Sequence, residues 1–180
     1  MSVSLPGFSS PAAGFDAPLD MMSSCHDRMR RQCRTLARLA QHVASQGADA
    51  QAREAAAGVL RYFDTAAVHH HADEERDLFP ALLESMAGSD AVCLRALTEG
   101  LAADHRRLEA LWRGLRAALG EIAQGVTAAL PETQAQAFIQ AYQEHLQRED
   151  DELLPLARRL LGDDALRQLG QAMQRRRNPS

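Results

Sequence analysis

Apolar residues recur every three or four positions through four long stretches of the sequence. This spacing is the period of one face of an α-helix, so each stretch predicts an amphipathic helix. Four such helices joined by short breaks are typical of an up-down-up-down bundle. The sequence therefore predicts an all-α protein, an antiparallel four-helix bundle over residues 19–162. The apolar stripes run from Met22 to Val43, from Leu60 to Ala81, from Leu97 to Ile122 and from Ala135 to Leu160.

The two ends of the chain depart from this pattern. Residues 1–18 hold prolines and glycines among serines, and they predict a disordered or loosely packed arm. Gly162 is expected to stop the fourth helix. The C-terminal segment, 163–180, predicts a short fifth helix from Asp163 to Met173 followed by a basic tail.

Several residues mark the expected boundaries of the helices. Asp49 and Asp90 are predicted N-caps, because a carboxylate at that position accepts a hydrogen bond from the first turn. Pro131 suits the start of the fourth helix. Pro80 and Pro155 are expected to bend or end their helices, since each removes one intrahelical hydrogen bond.

Composition and charge exclude several classes of function. The chain is 46% apolar and 24% charged, with a formal net charge of −4, and no apolar run is long enough to cross a membrane. Because phosphate binding needs a basic surface, nucleic acid is not expected as a partner. The one basic run, Arg175–Arg177, is interpreted as a solvated tail.

The cysteines and the N-terminus bear on the compartment. Cys25, Cys33 and Cys93 are an odd number at spacings that match no zinc pattern, so we interpret them as reduced thiols. The first residues show no basic region followed by an apolar run, so no secretory signal is expected. Both observations predict a cytoplasmic protein.

Six polar residues interrupt the apolar stripes at positions where a bundle normally buries leucine or alanine. Burying an unpaired imidazole or carboxylate costs several kcal/mol unless a partner compensates it. All six lie near the middle of their helices and should therefore meet at one level of the bundle. Neutral nitrogen donors with anionic oxygens suit a transition metal. These candidate metal ligands are His26, His70, Glu74, His105, His145 and Glu149.

The second and fourth helices repeat each other at an offset of 75 residues, and the first and third align more weakly at an offset of 79. The chain therefore looks like two copies of one helical hairpin, each with a histidine followed by a His-x-x-x-Glu pair. A pseudo-twofold two-metal centre is the expected result. The matched pairs are Phe63/Phe138, His70/His145, Glu74/Glu149, Leu78/Leu153 and Pro80/Pro155 at the first offset, and His26/His105, Arg28/Arg107 and Arg34/Arg113 at the second.

The repeat also selects among the consecutive histidines of the second helix. Both His70 and His71 have a glutamate four residues later. Only the His70 register matches the fourth helix and lies on the apolar stripe. His69, His71 and Glu75 are therefore interpreted as flanking residues.

The full pattern resembles the hemerythrin HHE cation-binding family. The resemblance rests on His26, on His105 and on the runs HHADEERDLFP and HLQREDDELLP, and it covers roughly residues 20–161. It implies a hemerythrin-like bundle around a non-haem centre of two iron ions. In that centre Glu74 and Glu149 would bridge the irons, the four histidines would cap them, and an oxo or hydroxo group would add a third bridge.

One position departs from the oxygen-carrying members of the family, which have a His-x-x-x-His pair on the third helix. Here Glu109 follows His105, while Arg30 takes the matching place in the first half. Glu109 is a candidate extra ligand, a proton relay or a surface residue. The pattern is closer to bacterial relatives linked to nitric oxide, peroxide or iron–sulfur repair. Ferritin-like centres are excluded because they use four carboxylates.

These features predict a di-iron protein that binds or reacts with a small diatomic or peroxide ligand, namely O2, NO or peroxide, in sensing, stress response or iron handling. Two ferrous ions against two carboxylates leave positive charge that favours such ligands. The alternatives are a peroxide-scavenging, catalase- or peroxidase-like enzyme and a metal-dependent sensor that acts through a protein partner. The sequence leaves open whether the protein is an enzyme, and its oligomeric state.

Overall fold

The computed structural model describes residues 14–86, 90–126 and 129–178, and its secondary structure within those ranges is helical, without strands. Most of the predicted arm, residues 1–13, lies outside the described residues. Helices α2 to α4, with π1 and π2, form one continuous segment, as do α6, π3 and α7. The elements are α1 (Pro18–Gln46), α2 (Ala50–Arg61), π1 (Tyr62–Ala66), α3 (Ala67–Asp73), π2 (Glu74–Leu78), α4 (Phe79–Ser85), α5 (Asp90–Ala123), α6 (Glu132–Arg148), π3 (Glu149–Leu153), α7 (Leu154–Leu160) and α8 (Asp163–Arg177).

The long helices pack in a ring, in which α1 contacts α2, α2 contacts α5, α5 contacts α6 and α6 returns to α1. Each of the four long helical segments buries most of the apolar stripe that its sequence predicts, as Leu36 and Leu115 illustrate with no exposed surface. The buried apolar residues form two separate clusters along the length of the molecule. The candidate ligands lie between these clusters in every helical segment, so a polar layer divides the core.

The predicted helix boundaries can be compared with the structure. Asp49 caps α2, because its Oδ1 accepts a hydrogen bond of 2.8 Å from the backbone N–H of Ala52. α6 begins directly after Pro131, and α7 ends at Leu160, two residues before Gly162. The side chain of Asp90 lies outside the described residues, so its role as a cap stays a prediction.

Neither Pro80 nor Pro155 ends its helical segment, so that part of the expectation was wrong. A five-residue π turn precedes each proline instead. The N–H of Phe79 bonds to the carbonyl of Glu74, and the N–H of Leu154 bonds to that of Glu149, both with the wider spacing of a π-helix. The chain thus stays helical where a proline cannot donate its hydrogen bond.

Helix α8 is longer than predicted and its basic end is not a solvated tail. It runs to Arg177 and packs against α1 and α3. Arg176 and Arg177 both donate to the carboxylate of Asp73, which is fully buried. Only Arg175 of the basic run is exposed. None of the helices in the described part of the chain has the length and apolar content needed to cross a bilayer.

Candidate metal centre

The structure brings the six candidate ligands together in the polar layer of the core. Each of them is at most 4% exposed. Their ligand atoms form two overlapping groups, and within each group these atoms lie within 4.8 Å of one another. Both glutamates belong to both groups. The groups are His26, His70, Glu74 and Glu149, and Glu74, His105, His145 and Glu149.

Each glutamate directs its two oxygens toward different imidazoles. Oε1 of Glu74 lies 3.3 Å from Nε2 of His70, and its Oε2 lies 3.3 Å from Nε2 of His105. Glu149 does the same, with Oε2 at 3.2 Å from Nε2 of His26 and Oε1 at 3.1 Å from Nε2 of His145. The polar layer therefore contains two adjacent candidate sites. Each site has two imidazole nitrogens and one oxygen from each glutamate.

Two further carboxylates hold the remaining nitrogens of two of these rings. Nδ1 of His26 lies 2.7 Å from Oδ1 of Asp150, and Nδ1 of His105 lies 2.6 Å from Oε1 of Glu75. In a neutral imidazole, an Nδ1–H that donates to a carboxylate leaves Nε2 as a lone pair directed at the centre. Arg30 in turn donates to Asp150 across 2.5 Å.

Sequence reasoning missed Asp150 and interpreted Glu75 as a flanking residue, and the structure corrects this. The two residues are related by the same offset of 75 as the candidate ligands, and each directly follows one of the glutamates. That match was a signal in the sequence. It was hidden because both residues lie one position off the apolar stripe.

Charge in the layer is balanced by protons. Burial opposes protonation of His105, but the carboxylates of Glu149, Glu74 and Glu75 beside the ring outweigh it and raise its pKa to about 10. Burial also opposes ionisation of Glu149, yet His145, His105 and His70 hold the pKa of this carboxyl well below its ordinary value. Glu149 is therefore stabilised as an anion by positive charge beside it, which a metal ion would also supply.

Unpaired polar atoms in the layer support a cation-binding role. Both oxygens of each glutamate are buried without a hydrogen-bond partner among the described residues, and so are Nε2 of His105 and of His145. Buried polar atoms in proteins are normally paired, so such a cluster needs a compensating group. Four imidazoles with two carboxylates fit a first-row transition metal such as iron.

The remaining candidates lie around this layer. His71 stacks on His105, with ring centroids 4.0 Å apart and planes inclined by 11°. Ligand nitrogens of His71, His105 and His145 lie within 4.8 Å of one another and form a third group, which contains no glutamate. Parallel stacked rings cannot both direct a lone pair at one ion, so this geometry favours His71 as a wall of the site. Glu109 is exposed and belongs to none of the ligand groups formed by the described residues, and His69 is half-buried.

Comparison with known proteins agrees with this geometry. A family model for the hemerythrin HHE cation binding domain matches residues 17–157. The chain is also similar to an uncharacterized protein of Haemophilus influenzae, with 29% identity over 165 residues, which cover 92% of each chain. The matched range contains all six candidate ligands together with Glu75 and Asp150.

Proposed function

This chain belongs to the hemerythrin HHE cation-binding domain family, and we propose that it is a non-haem di-iron protein that binds or reacts with O2, NO or a peroxide. The proposal includes an antiparallel up-down-up-down arrangement of the four long helical segments and a location in the cytoplasm. Two buried, free cysteines, Cys25 and Cys33, support a reducing compartment.

The observation that supports this proposal is the position of Glu74 and Glu149 between the two pairs of imidazoles. Each glutamate offers one oxygen to each of two imidazole pairs, which is the donor set that two carboxylate-bridged ions need. His26 and His70 would hold one ion, and His105 with His145 the other. An oxo or hydroxo bridge would complete the coordination.

The protein residues would have separate tasks in such a centre. Iron would supply the binding and electron transfer for the small ligand. Asp150 and Glu75 would fix the rings of His26 and His105 by accepting their Nδ1–H protons. The two apolar clusters would exclude bulk water from both ends of the polar layer.

Metal analysis after anaerobic purification tests the proposal. We expect two iron ions per chain, and optical spectra that change on addition of O2, NO or peroxide. His145→Ala and Glu149→Ala should each lose metal, because each removes a donor that the layer does not duplicate.

The consecutive histidines provide a matched control. His71→Ala should retain iron, whereas His70→Ala should lose it, since only His70 has its Nε2 beside Glu74. Less than one iron per folded chain would contradict the proposal. Loss of iron in His71→Ala with retention in His70→Ala would show that the register is wrong.

A further inference from the structure

A half-enclosed cavity of about 340 Å³ opens beside the candidate metal centre. Aromatic side chains form much of its wall, from Phe63, Trp112, Phe138 and Tyr142. It reaches the centre at His105 and Glu75, and His71 lines it as well. Val68, whose side chain is 55% exposed, lies at its edge.

The cavity is much larger than a diatomic ligand requires. A water molecule takes about 30 Å³ of liquid volume, so the cavity has room for roughly ten particles of that size. Cavities of a few hundred Å³ with apolar walls and a few polar groups typically bind small organic molecules. The polar residues of the wall are His71, Glu75, His105, Arg106, Glu109 and Tyr142. Among them, Nε2 of His71 and the hydroxyl of Tyr142 lie 3.5 Å apart.

The two halves of the molecule differ at this place. The first half has a cleft of about the same volume, but Arg30 and Leu146 line it where Glu109 and His71 line the cavity. None of the six candidate ligands lines this cleft. Arg30 bonds to Asp150 and thereby covers the outer side of His26.

Glu109 cannot cover the centre in the same way. It occupies the position related to Arg30 by the offset of 79, but Glu75, the acid that contacts His105 from the cavity wall, carries the same charge as Glu109. Like charges do not pair, and among the described residues no ion pair includes Glu109. The repeat thus leaves Arg30 over one side of the centre, whereas on the other side the cavity reaches His105.

We propose that this cavity binds a small organic hydroperoxide, whose apolar group packs against the aromatic wall while its peroxide group meets His71 and Tyr142 beside His105. This inference rests on the proposed di-iron function and names its substrate class. Reduction of the peroxide breaks the O–O bond and yields an alcohol and water. The reaction consumes two protons from solvent and two electrons, which bound ferrous ions would supply.

Trp112 allows the binding step to be measured directly, because it is the one tryptophan of the sequence and it lies in the cavity wall. The protein is loaded with zinc, which has no redox chemistry, and titrated with 2-phenylpropan-2-ol, the alcohol that corresponds to cumene hydroperoxide. We expect a saturable change in the emission of Trp112. A change that never saturates would overturn the inference.

Glu109→Arg is the decisive variant. An arginine at this position should pair with Glu75, as Arg30 pairs with Asp150, and close the cavity. The affinity for the alcohol should fall by about tenfold or more, the effect of losing roughly 1.4 kcal/mol of contact. Glu99→Arg makes the same change of charge on an exposed position of α5 outside the cavity and should bind as the wild type does. Equal affinity in both variants would contradict the proposal.

A second measurement separates this inference from the proposed function. In a single turnover, diferrous protein should react with cumene hydroperoxide with a second-order rate constant at least about tenfold above that for hydrogen peroxide, because only the former gains contact with the apolar wall. Equal values would overturn the substrate class while the metal analysis still supports the di-iron centre. A chain that binds no metal but still binds the alcohol would contradict the proposed function and leave the cavity's binding role standing.

Discussion

At two places in this protein, a pair of consecutive acidic residues contacts both ring nitrogens of one histidine. Glu74 and Glu75 contact the two different ring nitrogens of His105, and Glu149 and Asp150 do the same for His26. A ring that is held at both nitrogens has one defined orientation. The side chain therefore loses little rotational entropy when its Nε2 binds a cation.

Asp150→Asn should weaken the affinity for the metal by about 10- to 100-fold, as loss of such an outer hydrogen bond commonly does. The amide oxygen can still accept a hydrogen bond but is neutral, so it stabilises the Nδ1–H of His26 and the charge of Arg30 less than the carboxylate does. Competition with a chelator of known affinity measures the effect.

Asp151→Asn is the matched control for this variant. Asp151 is exposed, and its partner is Gln147 on the surface of the same helical segment. Its metal affinity should equal that of the wild type. If both variants lost the same affinity, a general effect of surface charge would explain the result better than positioning of His26.

Among the individual residues, the six candidate ligands could be predicted because they are polar and yet lie on an apolar stripe. His71 and Asp150 show where the approach fails. Both lie one position off the stripe, where polar residues are ordinary, so neither produces a conflict. His71 contacts the ring of His105, and Asp150 contacts the ring of His26. These contacts depend on the directions of the side chains, which the pattern of apolar positions does not give.

Among the helices, α8 has the clearest energetic role. Its last turn brings Arg176 and Arg177 to Asp73, which directly precedes Glu74 and has no exposed surface. A fully buried carboxylate is tolerated only when it is paired. α8 thus holds the end of α3 that presents the candidate ligands.

Replacing Arg176 and Arg177 together by alanine should lower the free energy of unfolding by about 3 kcal/mol, because Asp73 is then buried without a counter-charge. Urea unfolding followed by helical circular dichroism measures this. Arg175→Ala, at an exposed position of the same turn, should change stability little.

Adding Asp73→Asn to the double variant should recover part of the loss, since the unpaired charge is then removed. An unchanged midpoint in the double variant would contradict this role of α8. The pairing could not be predicted from sequence, because about a hundred residues separate the arginines from Asp73. The helices themselves could be predicted, since their periodicity is local.

The whole molecule has a core interrupted by a polar layer. Apolar clusters lie on both sides of the layer, so it cannot gain water by a small local opening at either end. The stability of the fold is therefore expected to depend on what compensates the buried glutamates. Neither the separation of the clusters nor the shared carboxylates is visible in the stripes, which describe each helix alone.

Removal of the metal should destabilise the protein. A ligand present at a hundred times its dissociation constant stabilises the folded state by about 2.7 kcal/mol, and chelation should remove that amount. Urea midpoints with iron and after chelation measure the difference.

The double variant Glu74→Gln with Glu149→Gln is the control, because it lacks the shared carboxylates that both groups require. Its midpoint should not respond to chelation. A wild-type midpoint that is also indifferent to chelation would show that the polar layer is stable on protein interactions alone.

Each half of the molecule supplies the acidic residues that contact a histidine of the other half. This arrangement bears on how such a molecule originates. His26 of the first hairpin depends on Glu149 and Asp150 of the second, and His105 of the second depends on Glu74 and Glu75 of the first. A single ancestral hairpin could complete these contacts only by pairing with another copy of itself. Two copies joined in one chain can instead differ from each other, as Arg30 and Glu109 do at matched positions.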